Sequence, residues 1–157
     1  MRFLVPTAFV LSLLALAPDP LLARNGMSWV KLSHNSTYST DDVGCPDCNP
    51  YSGETPCSTP LPILCLRVDA SPNPGLSVST NNGWAGGHIL LTQPVAGTSL
   101  GSLANANALC ASAFGAGYVM GEFHDGAGGW NWNAYGNVKT GTRFWVYIDD
   151  QPGNCWN

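Results

Sequence analysis

Glu122, His124 and Asp125 fall within four consecutive positions. A carboxylate beside an imidazole orients the ring and raises its pKa, so the group could hold a divalent cation or serve as the acid and base of a small metal-assisted hydrolase. An enzyme would also need a nucleophile or activated water and donors for developing charge. The chain has no serine-centred elbow, HExxH helix or phosphate loop. Ionisable clusters also occur as purely structural hydrogen-bond networks at strand ends. That reading outweighs the catalytic one here, and no residue is assigned a catalytic role.

Downstream, Trp130-Asn131-Trp132-Asn133 sets two indoles and two amides in a glycine-rich stretch. Aromatic faces take the apolar side of a sugar ring while amides bond its hydroxyls, and residues two apart share a face. The expected ligand-binding set is therefore Glu122, His124, Asp125, Trp130, Asn131, Trp132 and Asn133, with Trp84, Trp145 and Trp156 read as core. A third group, Asp149, Asp150 and Asn154 around Gln151, carries the oxygen ligands that calcium prefers, without the spacing of an EF-hand. Its competing reading is an acidic turn whose side chains cap backbone groups. No cofactor is assigned, and calcium at this group is the candidate.

The elements that must position these groups follow from periodicity. Met27–Leu32 alternates as a first strand, and residues 33–60 read as a Cys-rich, stapled loop region that includes the sequon Asn35-Ser36-Thr37. Pro62–Val68 reads as a strand with Leu64, Leu66 and Val68 on one face and Ile63, Cys65 and Arg67 on the other. Asn81–Gly87 reads as a loop and His88–Thr92 as a short strand. Leu103, Ala106, Leu109, Cys110, Ala113 and Phe114 recur at spacings of three and four, which predicts a helix capped by Ser102 and ended by Gly115. Tyr118–His124 reads as extended, with Tyr118, Met120, Glu122 and His124 on one side, residues 126–133 as a loop, and Thr142–Ile148 as the strongest strand.

The first 23 residues resemble a secretory signal: Arg2, an apolar stretch, then two competing cleavage points, of which the bond after Leu21-Leu22-Ala23, followed by Arg24, is preferred because the small-x-small Ala15-Leu16-Ala17 is followed by Pro18. Residues 24–157 are then expected to form one secreted or periplasmic domain without a membrane span. Cys45, Cys48, Cys57, Cys65, Cys110 and Cys155 make an even count, read as disulfides in an oxidising compartment, with local pairing as the economical arrangement. A four-thiolate zinc site at Cys45, Cys48, Cys57 and Cys65 is the competing reading. Of 157 residues 45% are apolar and 10% charged, the net charge is −4, and 18 Gly and 12 Pro make the chain turn-rich. There is no basic stripe to neutralise phosphates, which argues against nucleic-acid and anionic-membrane partners.

The C-terminal half, about residues 98–157, resembles the C-type-lectin-like superfamily. The resemblance rests on a helix bearing Cys110, a following Gly-x-Gly-Tyr strand, a long Trp/Asn/Gly loop, then Arg143-Phe144-Trp145-Val146 and Asn154-Cys155-Trp156. The chain is also similar to a group of short exported bacterial proteins with Gly-Glu-Thr-Pro-Cys and Glu-Phe-His-Asp-Gly segments. The lectin-like resemblance implies a Cys110–Cys155 bridge, whose long loop would make it the most stabilising of the set. It does not carry over the calcium-dependent sugar site, because Gly153 in Gln151-Pro152-Gly153 offers no ligand where that pattern needs one.

The expectation is therefore an α+β, disulfide-stapled, C-type-lectin-like domain with one main helix packed on a mostly antiparallel sheet. Its expected function is a binding module for a glycan or cell-surface protein. A metal-assisted hydrolase and a structural envelope protein without a discrete site are the alternatives.

Overall fold

In the computed structural model, residues 24–157 are described; the expected signal segment lies outside them. The elements in chain order are β1 (Asn25–Gly26), β2 (Ser28–Asn35), β3 (Thr40–Gly44), β4 (Thr55–Pro56), β5 (Pro60–Leu61), β6 (Leu64–Val68), β7 (Asn82–Leu91) and β8 (Val95–Ala96), a 3₁₀ turn Gly97–Ser99, α1 (Leu103–Phe114), β9 (Val119–Met120), β10 (Asn131–Tyr135) and β11 (Arg143–Trp145). Seven strands form one sheet in the order β11-β2-β3-β10-β7-β6-β9, antiparallel except between β10 and β7. Backbone bonds from Trp145 N to Pro62 O (2.8 Å) and Tyr147 N to Gly121 O (3.1 Å) join the two ends, so the sheet closes on itself.

Closure sorts the side chains by the two-residue period of a strand. Leu64 and Leu66 point into a core with Trp29, Val43, Ile89, Trp132 and Phe144, while Ile63 and Cys65 point outward beneath α1 with Ala106, Cys110 and Trp145. The two faces read for residues 63–67 are thus both buried, one inside the closed sheet and one under the helix. Ser102 caps α1 by accepting from Asn105 N at 3.2 Å, and Gly115, at φ 98°, ends it. The architecture is α+β, with one α-helix among the described residues against a mostly antiparallel, disulfide-stapled sheet.

Three expectations are corrected. The helix cysteine Cys110 bonds Cys65 on β6, and Cys155 bonds Cys57, so the implied Cys110–Cys155 bridge is replaced by two that cross the chain; Cys45–Cys48 alone is local. The cause lies in the strand face: Cys65 points outward, directly under the helix stripe that carries Cys110. No cysteine is free, which removes the zinc reading.

The second correction is the region 33–60. Part of it is the β2–β3 hairpin, whose buried charges Lys31 and Asp41 neutralise each other at 2.8 Å. The third is that Asn82–Gly87 and Asn131–Asn133 are strand, paired in parallel in the middle of the sheet. Their glycines mark close approach: a Cβ on Gly83 would sit 1.6 Å from Gly126 O. Conversely, Thr142–Ile148 contains only a three-residue strand, and Tyr118–His124 turns after Met120.

Candidate functional site

Leaving β9, the chain makes one more isolated bridge, Glu122 to Tyr147, and then reverses. Asp125 Oδ2 accepts from Glu122 N at 2.6 Å, Glu122 Oε2 accepts from His124 N, and Ala127 N donates to His124 O at 2.8 Å. Short carboxylate side chains that close on their own backbone favour such turns. Glu122 and His124 are neighbours as expected, but through this turn rather than along one strand face. The His124 Nδ1 to Glu122 Oε1 distance is 3.1 Å.

The third member of the cluster is Asp149, not Asp125. Its Oδ1 lies 3.8 Å from His124 Nδ1, and one ligand atom from each of Glu122, His124 and Asp149 falls within 4.8 Å of the others. Burial raises the Glu122 carboxyl above its ordinary value and pushes Asp125 up to about 6. Tyr147 rises to about 12, through burial first and then the negative charges of Glu122, Asp125 and Asp149. The cluster is thus electronegative, with the His124 ring against two carboxylates.

The calcium set is divided by the fold. Asn154 is buried, with Oδ1 accepting from Ile148 N at 3.0 Å and Nδ2 donating to Ile148 O at 2.8 Å, so its amide closes a loop and is not free to ligate. Asp149 faces His124, and Asp150 lines a neighbouring cleft.

That cleft, of about 280 Å³, has Phe123, His124, Trp130, Tyr51, Asn81, Asp150 and Gln151 among its walls. Trp130 is 47% exposed and packs its ring edge to face with Phe123 at 5.5 Å between centroids. Its backbone is left-handed, at φ 61°, a conformation that costs a bulky side chain roughly 1–2 kcal/mol. Tyr51, 64% exposed, is held by Asn49, whose Oδ1 accepts from Tyr51 N and Ser52 N. Gly153 N donates to Pro50 O at 2.9 Å, fixing the Tyr51 turn against the 151–153 loop.

Of the expected ligand-binding residues, His124 and Trp130 line the cleft, and Glu122 lies behind His124. The other four are corrected. Trp132 is fully buried and donates its indole N–H to Glu122 O, because β10 turns it into the core. Asn131 bonds Asp42, Asn133 bonds Asn82 and Gly83, and Asp125 is folded back on the Glu122 backbone. Tyr51, Asn81 and Gln151 went unread as site residues because they come from three separate turns with no shared spacing. No protein-family model, curated protein or solved structure matches the chain.

Proposed function

We propose that the protein is an exported binding module that takes a saccharide ring, free or on a cell-surface molecule, in the cleft between Trp130 and Tyr51. One observation carries this: a half-exposed indole on a left-handed backbone, held edge-on by Phe123. Strain of this kind persists only where the surroundings hold it, and it concentrates at functional positions. The indole offers an apolar face, and Asn81, Gln151, Asp150 and His124 offer donors and acceptors for hydroxyl groups around it. Three disulfides suit an oxidising compartment. The support comes from this cleft.

The test is a glycan array followed by tryptophan-fluorescence titration with the oligosaccharides that bind. Saturable quenching that Trp130→Ala abolishes, with the thermal unfolding curve retained, is the expected result. Absence of saturable binding to every glycan on the array would sink the proposal and favour a structural envelope protein.

A second reading, a small metal-assisted hydrolase, draws on the convergence of Glu122, His124 and Asp149. It requires saturable binding of a divalent cation, zinc or manganese in a calorimetric titration, and its loss in His124→Ala. Activity on ester or glycoside substrates that fails to respond to the cation would count against it.

A further inference from the structure

Outside the cleft, the least expected chemistry is in the β2–β3 hairpin. The Lys31 side chain is 4% exposed and that of Asp41 is fully buried. Lys31 Nζ lies 2.8 Å from Asp41 Oδ1, 2.9 Å from Asn137 Oδ1 and 2.9 Å from Val138 O. An amide C=O is about 1.2 Å long, so the Asn137 carboxamide carbon lies within about 4 Å of the amine. The backbone on either side of Asn137 is fixed to the hairpin: Gly136 N donates to Ser39 O at 2.9 Å and Val138 N to Asp41 Oδ2 at 2.6 Å. His34 Nδ1 faces Asp41 Oδ1 from the other side at 2.6 Å.

A buried ion pair alone adds little stability over apolar packing. This pair, however, holds an amine against a carboxamide with a carboxylate alongside. We propose that Lys31 and Asn137 join through an intramolecular amide bond, formed with loss of ammonia under the control of Asp41. Asp41 takes one proton from the Lys31 ammonium beside it, which leaves a neutral amine next to the Asn137 carboxamide. The neutral amine attacks the Asn137 side-chain carbonyl carbon, forming a C–N bond. The bond from that carbon to Nδ2 then breaks: Asp41 passes its proton to Nδ2, which leaves as ammonia, and Asp41 takes one proton back from the attacking nitrogen. One C–N bond forms and one breaks, with no oxidant or reductant. Holding the reactants in place supplies the entropic part of the acceleration. Asn137 lies on the exposed side of the buried pair, which gives ammonia a way out.

The bond would tie β2 to the segment between β10 and β11. Neither of the two chain-crossing disulfides reaches that segment, since they join Cys57 to Cys155 and Cys65 to Cys110.

The experiment is mass spectrometry of the purified exported protein after reduction and alkylation. The expected mass is about 17 Da below that of the linear chain, the loss of one ammonia. Trypsin should leave the Lys31–Leu32 bond uncut, and fragmentation should give a branched peptide joining Lys31 to Asn137. A succinimide at Asn137 would lose the same mass without Lys31, so Lys31→Arg separates the two: the loss disappears if the cross-link forms and persists if it does not. Asp41→Asn, checked for fold by circular dichroism, should retain the full mass. Full mass in the wild-type chain with ordinary cleavage after Lys31, or a loss that survives Lys31→Arg, overturns the proposal. The wild-type measurement decides even where a variant fails to fold.

Discussion

The indole N–H of Trp132 donates to the backbone carbonyl of Glu122 at 3.0 Å, and both residues are buried. The central tryptophan of the core therefore holds the turn on which the carboxylate–imidazole pair is built. Trp132→Phe keeps most of the apolar volume and removes the donor, leaving the carbonyl only the longer contact from Asp125 N at 3.3 Å. Loss of a partner at a buried acceptor costs about 1–3 kcal/mol. Denaturant unfolding should show a lower midpoint with an unchanged slope, and saccharide affinity should fall through misplacement of His124.

Stability should decline as pH rises from 4 to 7. The Asp125 carboxyl has its pKa raised from 3.8 to about 6 in the folded protein, and Glu122 moves the same way. Between those values the folded state holds a proton that the unfolded chain has released, so unfolding gains as pH increases. The effect is absent below the unfolded value and complete above the folded one, with a ceiling of about 3 kcal/mol for Asp125. Asp125→Asn keeps an oxygen for Glu122 N and removes the charge. Its melting temperature should exceed wild type at pH 7 and match it near pH 4. Asp69 acts oppositely and at lower pH: the Ser71 hydroxyl, His88 and Arg67 beside it hold its carboxyl well below the ordinary value, so its contribution is present above that value and fades as the solution is acidified.

The three disulfides should rank by the chain they enclose. Cys57–Cys155 spans 98 positions, Cys65–Cys110 spans 45 and Cys45–Cys48 only 3. On the loop-entropy account, closing about 100 residues is worth roughly 4.7 kcal/mol. Paired replacement of Cys57 and Cys155 by alanine should lower the urea midpoint most, and replacement of Cys45 and Cys48 least. The reverse order would place the stabilisation in native contacts rather than in the unfolded chain.

The sequence was legible where a period repeated long enough to be seen. Ser102 and Gly115 bracket a helix with an apolar stripe, and Leu64/Leu66 against Ile63/Cys65 marks two buried faces. It misled where glycine and asparagine, usual in turns, were used in the middle of a sheet. Gly83 and Gly87 sit where a Cβ would meet neighbouring backbone at 1.6 Å and 2.0 Å, so close packing, not turn chemistry, fixes them. Disulfide partners depended on which face Cys65 presents to α1, which spacing along the chain does not encode. At the cleft, adjacency in sequence identified Glu122 with His124, but the third partner, Asp149, comes from the segment after β11, distant in the chain and brought alongside by the Glu122–Tyr147 bridge.

The conformation of Trp130 separates stability from binding. At φ 61° a glycine adopts the backbone freely, whereas tryptophan does so at a cost. Trp130→Gly gives up the contact with Phe123 but relieves that cost, and Trp130 is already about half exposed. The variant should unfold within about 1 kcal/mol of wild type while losing saturable saccharide binding. A large loss of stability would instead make Trp130 a core residue and weaken the case for a binding surface.

Asn154 tests how the loop beside the cleft is held. Its amide accepts from Ile148 N and donates to Ile148 O, an arrangement that needs one acceptor and one donor on the same planar group. Asn154→Asp keeps the shape but sets a carboxylate oxygen against the Ile148 carbonyl, with the residue buried. A lost donor and a desolvated charge act in the same direction, so the cost should exceed that of a neutral hydrogen bond, at about 2–4 kcal/mol. Acidification should recover part of it, because a protonated carboxyl can again donate to that carbonyl. Asn154→Ala should lose both bonds without the charge and show no such recovery. Comparing the urea midpoints of the two variants at pH 4 and pH 7 checks this, and a charged variant as stable as wild type at pH 7 would mean that the loop is held by the Cys57–Cys155 bridge next to it rather than by the amide.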